Sequence, residues 1–225
     1  LKFICYFIDI FVYLLFYRYI WLSTNKQIFT IMIAILTGDI KNSSEHKANK
    51  WLPLLKSSLS KYGKEPKDWE IYRGDSFQLQ CTPENALEAA IYIKACIKQI
   101  RQLDVRISIG LGEKNYDSPK ITESNGPAFI NSGECFENLK KQNLGIKTPN
   151  EKFDELINLL LELALLTMDD WTPAISRTVQ CTMDNPEMNQ RELASLLNKS
   201  QGNISEELNK AGFDEVKKMI HFYKA

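Results

Sequence analysis

Histidine is almost missing from this chain. His46 and His221 are the only two in 225 residues, which leaves little room for an imidazole-based metal site or a Ser-His-Asp triad. Cysteine is sparse and scattered. Cys5, Cys81, Cys96, Cys135 and Cys181 are odd in number and lack C-x-x-C spacing, so neither a zinc ribbon nor a redox pair is encoded. They read as reduced, mostly buried thiols of a cytoplasmic protein. An excess of either charge is also lacking: Lys+Arg and Asp+Glu both number 28. No global field therefore draws the chain to nucleic acid or an anionic membrane, and any such binding is local. Internal repeats and low-complexity tracts are missing as well. With 44% hydrophobic and 25% charged residues, the composition is that of a globular protein with one sizeable domain and a small one.

One thing is present in excess. Leu1 to Leu22 is nearly all apolar and long enough, as a helix, to span a bilayer. Asp9 would then lie near mid-membrane at a cost of roughly 2.5–3.5 kcal/mol, with Arg18 as a second charge. The aromatic residues are scattered through the run instead of forming belts at its ends. No small-residue cleavage site follows, which argues against a secretory signal. Met32 stands directly before the first well-formed strand. Residues 1–31 are accordingly read as a hydrophobic extension that is not part of the working protein, with a membrane anchor at residues 1–22 as the alternative.

From residue 32 the pattern is regular. Ile33-Ala34-Ile35-Leu36 is a buried-strand run ending at Thr37-Gly38-Asp39. Ser43 and Ser44 can cap a helix whose buried face is Trp51, Leu54, Leu55 and Leu59. Trp69–Tyr72 and Phe77–Cys81 alternate on either side of Arg73-Gly74-Asp75-Ser76, which predicts a hairpin. Pro83 opens a second helix running to about Leu103, and Val105–Leu111 alternates as a strand. The order β-α-β-β-α-β predicts an α+β, ferredoxin-like palm over residues 32–150, with a further helix at 127–141. Residues 151–225 read as wholly helical, with Phe153, Leu156, Leu159, Leu160, Leu163 and Leu166 at helix spacing and another helix after Trp171-Thr172-Pro173.

The palm order brings the end of the first strand beside the hairpin, so Asp39 and Asp75 are expected to face one another. Two carboxylates at one sheet edge suit Mg²⁺, which takes hard oxygen ligands and is commonly shared with substrate phosphates. Gly38 and Gly74 would let the backbone approach closely. The same residues also fit a plainer role, Asp39 as a helix cap and Asp75 as a turn residue.

Thr37-Gly38-Asp39-Ile40 with Ser43 and Ser44 resembles the first metal motif of class III nucleotide cyclases. Tyr72-Arg73-Gly74-Asp75-Ser76-Phe77 resembles their second, and Asp104–Glu113 resembles the later cyclase strand. More closely, residues 32–210 are similar to the SatD family of bacterial proteins. That likeness rests on Thr37–Ile40, Arg73–Phe77, Arg106–Gly112 and Asn125-Gly126-Pro127-Ala128-Phe129. It narrows the fold more than the function. What the cyclase resemblance implies is a metal at Asp39 and Asp75 and a nucleotide contacted by Ser43, Arg73 and Arg106. The chain departs from the pattern where cyclases carry a transition-state Asn and Arg, for Ile130 and Glu134 occupy those places. A carboxylate there would repel a triphosphate as negative charge develops, so the expected site binds a nucleotide with Mg²⁺ without efficient catalysis.

Residues 188–210 resemble the helix-turn-helix of bacterial regulators. Ala194 lets two helices cross closely, Leu193, Leu197 and Ile204 fill the space between them, and Ser200 caps the second helix. Asn198 stands where Gly is usual and Lys199 where an aliphatic residue is usual. The second helix would offer Gln201, Asn203 and Ser205 to base edges, with Lys199 and Lys210 toward phosphates. A helix-turn-helix used only for packing or dimerisation is the plainer alternative. Together these features lead to an expected DNA-binding transcriptional regulator, acting as a homodimer, with a catalytically degraded cyclase-like sensing domain. The competing expectation is a divergent metal-dependent nucleotidyl cyclase or nucleotidyl transferase.

Overall fold

The computed structural model describes residues 32–224, within one compact unit; both readings of residues 1–31 lie outside the described residues. The architecture is mixed α+β, with a five-stranded sheet and, among the described residues, eight α-helices. The strands are β1 (Ile33–Lys41), β2 (Trp69–Tyr72), β3 (Ser76–Cys81), β4 (Asp104–Gly112) and β5 (Leu144–Lys147), in the order β2-β3-β1-β4-β5. β1 is antiparallel to both β3 and β4, β2 is antiparallel to β3, and β5 runs parallel to β4.

The sequence pattern had not suggested β5, whose four residues include a glycine. Its outer backbone groups are closed off by Asn158, whose side chain donates to the Ile146 carbonyl and accepts from the Ile146 amide, each at 2.9 Å. An edge strand otherwise presents such groups as a template for unwanted pairing.

Helix α1 (Ala48–Ser60) buries Trp51, Leu55 and Leu59, whereas Leu54 is half-buried. It begins later than the serines suggested, because Ser43–Glu45 form a separate 3-10 turn and Lys47 occupies the cap position. Helix α2 (Pro83–Ile97) lies between the sheet and the C-terminal helices. From Ala86 to Ile97 every residue except Glu88 is buried, the signature of a helix covered on all sides. Lys94 sits within this apolar helix, fully buried, and its ammonium donates to Asp104 and Asp169, both at 2.7 Å.

Helix α3 (Pro127–Asn138) covers part of the opposite sheet face. A Cβ at Gly110 would overlap the Ala128 carbonyl and the Ser132 amide, so this glycine allows the helix to approach β4. The remaining helices are α4 (Glu151–Met168), α5 (Pro173–Asp184), α6 (Gln190–Leu197), α7 (Gln201–Lys210) and α8 (Phe213–Lys224). Asn150, near which a domain boundary was expected, caps α4 by accepting from the Phe153 amide. One continuous core nevertheless crosses it, joining Leu55, Ile91 and Val105 to Ile157, Val179 and Phe213.

The leucines noticed at helix spacing do not form the buried stripe of α4. That role falls to Ile157, Leu161, Leu165 and Met168, while Leu156, Leu159, Leu163 and Leu166 face outward. Among the described residues, no helix is long and apolar enough to cross a membrane.

Candidate functional site

Strand register lines up one row of side chains across the sheet: Tyr72 opposite Ser76, Ser76 opposite Asp39, and Asp39 opposite Arg106. Directly opposed residues share a face of a sheet and interact there. The row lies on the face away from α1 and α2, because β1 alternates Leu36, Gly38 and Ile40 toward the main core. One step along, Thr37 and Ser108 are opposed beneath α3. There the Ser132 hydroxyl donates to the Thr37 hydroxyl at 2.7 Å, and the Ser108 hydroxyl donates to the Ser132 carbonyl at 2.8 Å.

The hairpin backbone meets the end of β1, where both aspartates lie. Asp75 directly precedes Ser76, the register partner of Asp39, and its carbonyl accepts from the Ile40 amide at 3.2 Å. Their carboxylates, however, have partners already. Arg106 forks onto Asp39, Nε to Oδ1 at 3.0 Å and Nη2 to Oδ2 at 2.5 Å. Its guanidinium also lies 5.1 Å from the centre of the Phe136 ring. The hydrogen bond to Asp39 holds the Arg106 guanidinium above its ordinary pKa range. Asp75 accepts from the Ser43 hydroxyl at 2.5 Å, so Ser43 serves the hairpin and not a helix cap.

Arg73, at the hairpin tip, has φ 52, with φ 96 at Gly74 beside it. Two consecutive positive φ values give this tight turn the conformation glycine favours. The Arg73 side chain is exposed.

As arranged, the aspartate pair does not fit a Mg²⁺ centre. A cation would have to displace a guanidinium that holds both oxygens of Asp39, and no group of three His, Cys, Asp or Glu is set to hold a metal among the described residues. The positions that depart from the cyclase pattern have local roles of their own. Glu134 pairs with Lys147, Asn131 donates to the Leu111 carbonyl at 2.8 Å, and Ile130 is exposed. Tyr72, Ser76 and Phe136 were not singled out from sequence. The alternation of the hairpin puts Tyr72 and Ser76 in phase with each other, but it carries no information about which strand lies on the far side.

The second candidate region is α6–α7. Asn189 accepts from the Arg191 and Glu192 amides while Glu192 accepts from the Asn189 amide, a complete capping box. Asn198 ends α6 in the left-handed conformation, φ 53 and ψ 48, which asparagine tolerates in place of glycine. Ser200 caps α7 by accepting from the Asn203 amide at 3.1 Å. Leu193, Ala194 and Ile204 form a small core of their own, joined by Cys181, Leu197 and Leu208.

On α7, Gln201 and Asn203 are exposed and Ser205 is half-buried. The lysines expected at phosphates are engaged within the chain. Lys199 donates to Glu207 at 2.7 Å and to Thr178 at 3.1 Å, and Lys210 donates to Glu206 at 2.6 Å. Lys199 thus fills its aliphatic-type position as a half-buried ion pair. Arg191 on α6, which sequence reasoning passed over, is an exposed cation on the same module. A separate cleft of about 480 Å³ opens beside it, walled by Met183, Leu193, Leu208, Phe213 and Ile220, and neither Asp39 nor Asp75 touches it.

No family model and no curated protein matches the chain.

Proposed function

We propose that the chain is a cytoplasmic DNA-binding transcriptional regulator in which α7 enters the major groove and the sheet-edge row senses a nucleotide-like ligand without turning it over. The observation carrying this reading is the form of α6–α7. Two capped helices are locked by a small core, and the second bears the exposed amides of Gln201 and Asn203 and the half-buried Ser205 hydroxyl near its N-terminus, where recognition helices contact base edges. The strand order β2-β3-β1-β4, with its antiparallel pairings, supports a ferredoxin-like palm extended by a parallel edge strand, in keeping with the cyclase and SatD resemblances. The Arg106–Asp39 fork favours sensing over catalysis, since the guanidinium stands where a metal-dependent reaction would need its cation.

The test is a mobility-shift selection on a pool of random duplexes with the full chain and with Gln201→Ala/Asn203→Ala. The expected result is enrichment of one sequence, lost in the double variant. Uniform, salt-sensitive binding that both proteins share would overturn the reading.

A further inference from the structure

Helix α4 is apolar on two opposite sides, and among the described residues only one of them is buried. Ile157, Leu161, Leu165 and Met168 are buried, yet Leu156, Leu159, Leu163 and Leu166 stay 44, 53, 57 and 72% exposed. The exposed four follow one another at spacings of 3, 4 and 3, the a/d rhythm of a helix that packs against another helix. They form a seam about 15 Å long. A contiguous apolar surface of this kind marks an interaction site more often than single exposed leucines do.

From this geometry we infer that the seam is the contact between two copies of this chain, related by a two-fold axis, with their α4 helices antiparallel. The spacing 3-4-3 reads the same in both directions, so a two-fold axis level with Leu161 sets Leu156 against the partner's Leu166 and Leu159 against the partner's Leu163. Such an interface is self-complementary, as closed dimers require.

The ends of the seam choose the direction. Continuing the same rhythm, the next position before Leu156 is Lys152 and the next after Leu166 is Asp170, and both are exposed. Neither forms a salt bridge among the described residues. An antiparallel pair brings each Lys152 to the partner's Asp170, whereas a parallel pair would set lysine against lysine and aspartate against aspartate. Glu162 would meet the partner's Glu162 near the axis, but at the solvated rim, where screening keeps the repulsion small. The leucines alone fall short of the roughly 800 Å² per partner typical of a stable interface, so half-buried Leu160 and Ala164 along the flank belong to the contact as well.

Light scattering on the eluting full chain, from about 1 to 100 µM, tests the assignment. The wild type is expected to be a dimer, and Leu159→Glu/Leu163→Glu a monomer with an unchanged far-ultraviolet circular dichroism spectrum, since both residues are exposed. Lys152→Asp and Asp170→Lys should each weaken the dimer about five- to tenfold, and the two together should restore it. A monomeric wild type, or association that survives Leu159→Glu/Leu163→Glu, would overturn the proposal. Charge reversals that leave the dimer unchanged would overturn its antiparallel direction.

Discussion

At the end of β1 the polar side chains are bonded to one another: Asp39 to Arg106 across the sheet and Asp75 to Ser43 across the loop. On α7 the charges are paired, Glu207 with Lys199 of the preceding turn and Lys210 with Glu206, but the neutral Gln201 and Asn203 are exposed. Both regions hold an ion pair made within the chain. They differ in what remains free, and that difference separates a site that must be opened by a competitor from a surface ready for contact. A ligand at the sheet edge has to exchange for short, charge-assisted hydrogen bonds, while a partner of α7 meets the Asn203 amide and a Gln201 amide held only by a long contact to Gln190 at 3.4 Å.

Apart from both regions, the buried ammonium of Lys94 ties β4 at Asp104 to the end of α4 at Asp169. Breaking this joint should give the largest effect. Lys94→Met leaves Asp104 with only the longer ion pair to Lys98 at 3.4 Å and is expected to cost about 3–5 kcal/mol in denaturant unfolding. Burial raises the pKa of the Asp169 carboxyl, but the charge of Lys94 and hydrogen bonds from Asn143 and Lys94 outweigh it, and the net shift is downward. A carboxyl with a depressed folded pKa contributes stability that is complete above its unfolded value, near 3.9, and is lost as pH falls through the folded one. The wild type should therefore lose stability below about pH 4 more steeply than Lys94→Met, measured as unfolding midpoints at successive pH values. A parallel acid response in the two proteins would mean that Lys94 does not stabilise the charged form of Asp169.

Next in size is the private core of α6–α7. Ile204 is fully buried there, and Ile204→Ala should cost about 2–4 kcal/mol through lost transfer energy and a residual cavity. The loss should be local. Amide hydrogen exchange is expected to accelerate in α6 and α7 while β1 and β4 keep their protection, and equal acceleration throughout would show that the module has no independent stability.

The sheet edge answers to a smaller change. Arg106→Leu removes the fork from Asp39 and should destabilise by about 1–3 kcal/mol, with Asp39→Asn in the same chain recovering part of the loss. Thermal unfolding of the two variants checks this. No recovery would mean that Arg106 acts mainly through its contact with Phe136.

These two regions also differ in how far they could be read from the chain. The α6–α7 pair is built from local relations: a cap three residues from the amide that donates to it, a left-handed Asn198, and apolar residues one or two turns apart. All of these lie within residues 189–208. The sheet edge depends on pairs separated by 67 residues for Asp39–Arg106 and 32 for Ser43–Asp75. Element order predicted that β1 and the hairpin meet, and they do. Which β4 residue faces Asp39 depends on register, and a slip of one position would have turned Arg106 to the other face. The fate of the α4 leucines was illegible for a related reason. A helix apolar on two sides does not reveal from periodicity which side its own core will take.

The smallest change sharpens the contrast most. If α7 recognises DNA through neutral amides while its lysines are held by glutamates, few phosphates are neutralised on binding, and affinity should fall only shallowly with salt. Each phosphate contact adds a slope of about 0.9 to the fall of log K with log salt. Glu206→Gln removes the acidic partner of Lys210 at an exposed ion pair, so the fold should be left intact, with an unchanged unfolding midpoint. The freed ammonium can then reach a phosphate. Duplex affinity measured between 50 and 300 mM salt should show a slope steeper by about one contact, with the preferred sequence unchanged. An unchanged slope would mean that Lys210 points away from the backbone in the complex, which would turn α7 about its axis and set Gln201 and Asn203 off the groove floor.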